Sequence, residues 1–116
     1  MNENNPMINK ILTTVVEFYH NKYGELLEQV WLFGSKARGD DTADSDVDIM
    51  IILDDNAQIE KIPGKNLEKY ELAMEILTNY NELISPMEYP VTDFKRNRIS
   101  LHRNVKKEGM LFYEKQ

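Results

Sequence analysis

Apolar residues recur along the chain with two spacings, and each spacing predicts a type of element. From Met7 to Tyr23 they follow the i, i+3, i+4 pattern of an amphipathic helix, and Gly24 suits the position just after its end. The segment Val47–Leu53 is apolar apart from Asp48 and rich in β-branched residues. That composition is typical of a strand buried on both faces, so it predicts a sheet covered by helices.

Shorter apolar segments predict the remaining elements. Ser35 is expected to cap a short helix that Gly39 ends, and Pro86 favours an edge position or a bulge for its strand. The resulting order of helices and strands indicates one α/β (α+β) domain over residues 1–116, with a small mixed sheet flanked by helices. These further elements are strand Val30–Phe33, helix Lys36–Arg38, helix Asn66–Tyr80, strand Leu83–Tyr89, helix Ser100–Glu108 and strand Met110–Tyr113.

Composition narrows the class of protein. The chain has 116 residues, of which 41% are hydrophobic and 29% charged, as in an ordinary globular domain. The longest apolar run, Ile49 to Leu53, is far shorter than the roughly 20 residues that cross a bilayer, so no membrane association is expected. The first residues lack the pattern of a secretion signal. Without cysteine, disulfides, zinc–thiolate sites and thiol catalysis are excluded, and a cytoplasmic location is expected.

Charge is distributed unevenly. The net charge of −6 argues against a protein that coats nucleic acid, so nucleic acid is not an expected partner. Seven aspartates lie between Gly39 and Asp55, with no lysine or arginine among them. The segment Lys95–Lys107 is instead basic, and three interpretations remain open for it: solvated surface, a contact with a triphosphate, or a surface that docks a protein partner.

The acidic cluster contains a pair of carboxylates at a specific spacing. Asp46 and Asp48 are two residues apart on a predicted strand, so both should project from one face, roughly 6.5–7 Å apart. Two such carboxylates repel each other, and a divalent cation between them removes the cost. Mg²⁺ suits one or two carboxylates together with phosphate oxygens.

A turn at Gly34 and Ser35 supplies a complementary feature. It follows a strand and precedes a helix, so its backbone N–H groups can hold a phosphate, while Lys36 and Arg38 add cations nearby. The pair and the turn together predict a metal–nucleotide site.

Two other nucleotide or metal motifs do not fit this segment. A Walker A loop is excluded because Asp40 follows Gly39 where that loop requires lysine. An EF-hand beginning at Asp44 would need glycine where this chain has Ile49.

The spacing of Gly34-Ser35, ten residues, and Asp46-Val47-Asp48 resembles the signature of the DNA polymerase β-like nucleotidyltransferase superfamily. The stretch from Leu32 to Leu53 looks like the minimal nucleotidyltransferases, which pair with HEPN-domain toxins. The resemblance implies a nucleotidyltransferase fold and two-metal transfer of AMP from ATP. It also implies that Gly34 and Ser35 hold the triphosphate, that Asp46 and Asp48 bind Mg²⁺, and that the acceptor is a tyrosine of the HEPN partner.

One part of the superfamily pattern is missing. The resemblance calls for a third carboxylate on a later strand, as general base or metal ligand, and the corresponding segment contains only Glu82 and Glu88. Glu82 is the predicted catalytic residue, although the best alignment places Leu83 at that position. If the even-numbered face of this strand is opposite to the one that carries Asp48, neither glutamate can serve. A weakly active or binding-only antitoxin is therefore the alternative.

Two further residue types could suggest a site. The two histidines have no partner at metal-ligand spacing, so His20 is expected on a helix surface and His102 on the surface or in contact with phosphate. Trp31 is expected in the core.

Overall fold

The structure, a computed structural model, describes residues 5–60 and 67–116. No helix in these two ranges is long and apolar enough to cross a membrane. The elements are α1 (Pro6–Tyr23), a 3₁₀ turn (Gly24–Leu26), β1 (Leu27–Phe33), α2 (Ser35–Arg38), β2 (Val47–Leu53), α3 (Leu67–Tyr80), β3 (Ile84–Pro90), α4 (Val91–Lys95), α5 (Ser100–Glu108) and β4 (Met110–Glu114).

The four strands form one mixed sheet in the order β3-β2-β1-β4. β1 runs antiparallel to both β2 and β4, whereas β2 and β3 are parallel. The parallel pair is possible because α3 carries the chain back across the sheet. The mixed sheet flanked by helices is therefore confirmed, and β3, which contains Pro86, is an edge strand as expected.

Helices cover both faces of the sheet, and β2 contributes to two cores. Val47 and Ile49 pack with α1 and α3 in the larger core. Met50 packs with Phe94 of α4 on the other face. The prediction that β2 is buried on both faces is thus confirmed. Asp48, on the α4/α5 face, is the only residue of β2 that is not fully buried.

The start of α2 differs from the prediction. Gly34, not Ser35, is the N-cap residue, and no side chain bonds to the helix end. Ser35 is instead the first helical residue, so the proposed serine cap is wrong. At the other end, Gly39 adopts a left-handed conformation (φ 85°) and ends the helix, as expected.

The sequence gives no sign of α4. This helix has only five residues, too few to show a helical period. Its first turn is capped from a distant loop, because Asp55 accepts hydrogen bonds from the backbone N–H of Thr92 (3.0 Å) and from its hydroxyl. These bonds lower the pKa of Asp55.

His102 lies in the core and not on the surface, so its predicted placement is wrong. Its side chain is 1% exposed and packs edge-on against Tyr89 and Phe94, with ring centroids 4.5 and 5.8 Å away. Neither ring nitrogen has a hydrogen-bond partner among the described residues. Burial lowers the pKa of His102, an effect that Asp93 partly opposes and Lys106 reinforces.

We expect His102→Phe to keep or raise the free energy of unfolding, by up to about 2 kcal/mol, because it removes an unsatisfied polar group from a buried site. Since the folded-state pKa lies below the ordinary 6.5, the unfolded chain takes up a proton first as pH falls. Wild-type stability should therefore decline below about pH 6.5, and less so in the variant. Urea unfolding near neutral and acidic pH measures this. His20 is present in both proteins, so it does not affect the difference between them. The same pH dependence of stability in the wild type and the variant would contradict the burial of His102.

Candidate nucleotide and metal site

The two sequence motifs meet at one end of the sheet. Phe33, the last residue of β1, pairs with Asp48 in β2, which brings the turn after β1 beside that aspartate. A Cβ built on Gly34 would lie only 2.2 Å from Oδ2 of Asp48, and Gly34 has a φ of +73°. Both observations require glycine at this position. The turn and the carboxylate thus touch directly.

Gly34→Ala tests this contact. We expect it to lower the free energy of unfolding by about 1–3 kcal/mol, to displace Asp48, and so to weaken Mg²⁺-dependent ATP binding. Gly39→Ala is the matched control, since Gly39 also has a positive φ but open space around its Cα. Calorimetry measures the ATP affinity of both variants and so separates the effect of backbone strain, common to both, from the steric clash with Asp48, present only in Gly34→Ala. Equal losses of ATP affinity would mean that the contact with Asp48 has no role.

Asp46 and Asp48 form a carboxylate pair with no ion-pair partner among the described residues. β2 begins at Val47, so Asp46 lies just before the strand and is exposed, whereas Asp48 is half-buried. Burial raises the pKa of Asp48, the charge of Asp46 raises it further, and Arg38 acts against both. In residues 5–60 and 67–116 neither carboxylate takes part in an ion pair. Two mutually repelling carboxylates, one exposed and one half-buried, fit a divalent cation.

Most of the other aspartates in the acidic cluster have structural partners. Asp40 pairs with Arg38 at 3.2 Å, and Asp54 accepts a hydrogen bond from the backbone N–H of Asn56 at 2.9 Å. Asp41 bonds to Lys36, and Asp55 caps α4. The cation-binding potential of the cluster is therefore concentrated in the part that contains Asp46 and Asp48.

The two cations predicted to bind nucleotide have different surroundings. The Lys36 side chain is only 7% exposed, and its Nζ lies 3.2 Å from Asp41 and 3.6 Å from Glu82. These contacts connect α2 to the loop after it and to the segment before β3. Arg38 is more exposed, pairs with Asp40, and is close enough to Asp48 to lower its pKa. The geometry thus favours Arg38 over Lys36 as a contact for phosphate.

Comparison with known proteins extends this picture. The sequence pattern of the family described as polymerase beta, nucleotidyltransferase matches residues 14–116. The chain belongs to this family. It is also 33% identical over 105 residues to MJ0604 of Methanocaldococcus jannaschii, a protein provisionally named a protein adenylyltransferase, and the match covers 90% of this chain and 96% of that protein. The superfamily resemblance of the motif is therefore confirmed.

Solved structures share the fold. A toxin–antitoxin structure with AMP-PNP contains a chain that matches with a TM-score of 0.60 at 17% identity, over 90% of this chain and 73% of that one. A complex of a tri-AMPylated Shewanella oneidensis HEPN toxin with its MNT antitoxin matches with a TM-score of 0.53 at 15% identity, over 94% and 72%. At these identities the likeness establishes the nucleotidyltransferase fold.

Among the described residues of this nucleotidyltransferase, neither Glu82 nor Glu88 is grouped with the carboxylate pair as a third metal ligand. Glu88 lies on the α1/α3 face, where it accepts hydrogen bonds from the Tyr19 hydroxyl and from Lys69, each at 2.8 Å. Asp48 lies on the other face, next to Ser85 in the register of β2 and β3. Glu82 contacts Lys36. Among the described residues no three acidic, histidine or cysteine side chains are grouped to hold a metal.

Leu83 lies immediately before β3 and beside the first residue of β2. Its backbone carbonyl accepts a hydrogen bond from Val47 N–H at 2.8 Å, and its side chain is 54% exposed. The register pairs Asp48 with Ser85 and Val47 with Ile84, and Asp46 and Leu83 are the residues just before these two strands. This position agrees with the prediction from sequence that Leu83 stands where the nucleotidyltransferase signature has its third carboxylate. The catalytic role of Glu82 stays a prediction that the geometry does not favour.

Proposed function

We propose that this nucleotidyltransferase uses Mg²⁺ to transfer AMP from ATP to a hydroxyl group, and that the acceptor is a tyrosine of a HEPN-type protein partner. The observation that carries the proposal is the pair Asp46 and Asp48, whose repulsion raises the pKa of Asp48, with Asp48 packed directly against Gly34. Such a pair is costly without a cation, and it lies where a triphosphate could reach both the cation and the turn.

Each residue has a distinct part in this proposal. Asp46 and Asp48 would hold Mg²⁺, which neutralises charge on the phosphates when bound. The Gly34–Ser35 turn would bind the triphosphate, with Arg38 beside it. In the transfer, the acceptor oxygen bonds to the α-phosphorus, the bond from that phosphorus to the β-phosphate oxygen breaks, and pyrophosphate leaves with the electron pair. The hydroxyl proton must pass to a base. With two protein carboxylates near the site, we propose one firmly held ion, and a second ion would depend largely on the phosphates.

The partner and the acceptor are inferred from relatives. One structural neighbour is a toxin–antitoxin structure with AMP-PNP, and another contains a HEPN toxin that carries AMP groups beside an MNT antitoxin. The similarity to a provisionally named protein adenylyltransferase points in the same direction. We therefore propose an antitoxin that modifies a HEPN toxin in the cytoplasm, where ATP is available.

A second candidate function is neutralisation of the partner by binding alone. The observation that favours it is Leu83 at the position where the superfamily pattern has a carboxylate, with Glu82 and Glu88 held by other residues. Without a base near the acceptor, transfer would be slow while nucleotide binding persisted.

Intact mass spectrometry distinguishes the two candidates. The chain is incubated with ATP, Mg²⁺ and a HEPN-domain protein of the same organism, and the masses of both proteins are followed over time. Adenylyl transfer predicts that the partner gains the mass of one or more AMP groups, and that this gain disappears with EDTA. A stable complex whose partner gains no mass would support the binding-only function. Neither complex nor modification would reject both.

A further inference from the structure

The outward face of α3 carries an apolar stripe that no described element covers. Leu67, Tyr70 and Met74 follow each other at helical spacing, and Tyr70 and Met74 are 57% and 59% exposed. They lie opposite Leu72 and Ile76, by which α3 packs onto the sheet. We call these three residues the α3 stripe. An amphipathic helix in a small domain normally presents polar residues on its outer face, so this stripe indicates a contact surface.

Carboxylates border the stripe on one side. A groove of about 330 Å³ runs between α1 and α3, and Glu17, Glu71 and Glu75 line it. We call these three residues the acidic groove. None of the three takes part in an ion pair in the part of the chain that the structure describes. Glu71 and Glu75 also line a shallow hollow of about 560 Å³ over the α3 stripe, so the two features are continuous.

We infer that the α3 stripe and the acidic groove together dock a basic amphipathic helix of a protein partner. Apolar side chains of such a helix would pack on Tyr70 and Met74, while its lysines or arginines would meet Glu71 and Glu75. The inference deepens the proposed function by naming the surface that holds the partner, and it rests on that function for the identity of the partner. A basic partner fits better than an acidic or purely apolar one, because the carboxylates of the acidic groove have no ion-pair partner among the described residues.

A second copy of this chain is a poorer occupant. The basic segment of the chain, residues 95–107, belongs to α4 and α5, which cover the opposite face of the sheet from α3. Two copies joined by this complementarity could not satisfy both contacts at once in a closed dimer, and the contact would continue from copy to copy. A different protein that binds through a single contact does not form such an open-ended chain of copies.

The surface is also separate from the candidate active site. Met74 lies six residues before Tyr80 at the end of α3, about 9 Å along the helix axis, and on the opposite face of the sheet from Asp48. Changes in the α3 stripe should therefore leave ATP and Mg²⁺ binding unchanged. This separation allows the docking surface and the proposed function to fail independently.

The first experiment measures affinity for a HEPN-domain protein of the same organism. We expect Tyr70→Ala/Met74→Ala to weaken partner binding at least 10-fold. We expect Glu71→Lys/Glu75→Lys also to weaken partner binding, and the remaining affinity should no longer fall as the salt concentration rises. The matched control is Met7→Ala/Leu111→Ala, which removes two exposed apolar side chains outside both the α3 stripe and the basic segment. Calorimetry with Mg²⁺ and ATP runs in parallel. Wild-type partner affinity in both the stripe variant and the groove variant would overturn the inference. Failure of the wild-type protein to bind ATP would overturn only the proposed function.

The second experiment needs no assumption about the partner. A photo-reactive phenylalanine analogue replaces Met74 in the full chain inside its native cells, and cross-linked peptides are identified by mass spectrometry. A cross-link to a basic amphipathic helix of another protein is the expected result. A cross-link to a second copy of this chain, a cross-link to an acidic segment, or no cross-link at all would each overturn the inference.

Discussion

Replacing both Asp46 and Asp48 with asparagine is expected to abolish Mg²⁺-dependent binding of ATP and to reduce adenylyl transfer by on the order of 100-fold or more. Asparagine keeps the size of each side chain and removes both negative charges. Because the two carboxylates repel each other without a cation, the metal-free variant should unfold at the same temperature as the wild type or slightly higher. Calorimetry and thermal unfolding, each with and without Mg²⁺, provide the measurements.

The pH dependence gives an independent check on the same pair. The pKa of Asp48 is raised above the ordinary 3.8, so protons compete with Mg²⁺ at a higher pH than for an exposed aspartate. In the wild type, Mg²⁺ affinity should fall as pH decreases towards that raised value. The raised pKa also means that ionised Asp48 weakens the metal-free fold, a penalty that disappears as pH falls through it. If the double variant binds ATP equally with and without Mg²⁺, as tightly as the wild type, the site assignment fails.

Leu83→Asp is expected to increase the rate of adenylyl transfer at least about 10-fold, since a positioned general base typically contributes about 100-fold or more. The new carboxylate would lie just before β3, next to the start of β2, where Asp46 and Asp48 are found. It should also destabilise the metal-free protein through repulsion and increase the rise in melting temperature on addition of Mg²⁺. Single-turnover assays with the HEPN-domain protein measure the rate.

Two controls make this result interpretable. Leu83→Asn has the same shape without the charge and should leave the rate unchanged. Glu82→Gln tests the earlier assignment directly, since a general base at Glu82 would cost the wild type most of its activity. A large loss in Glu82→Gln, together with no gain in Leu83→Asp, would show that Glu82 and not position 83 serves the acceptor.

Features that depend on neighbours along the chain were predictable from sequence. The burial of β2 follows from its own composition. The turn at Gly34 meets Asp48 because β1 and β2 are consecutive strands that pair with each other. Features that depend on distant contacts were not. The pairing of Lys36 with Glu82, the cap that Asp55 provides for α4, and the position of His102 between Tyr89 and Phe94 all join residues whose proximity only the fold creates. Most of the wrong or missing predictions concern this second group, and the cap expected at Ser35 is a local exception.

The prolines of β3 affect how this protein can associate. Within a strand, proline can stand only where its missing N–H would face away from the neighbouring strand. Pro86 and Pro90 are four residues apart, so both remove donors from the same, outer side of β3. An incoming chain would find an incomplete hydrogen-bonding ladder there, which protects the sheet against edge-to-edge aggregation. The same feature disfavours partners that add a strand to β3.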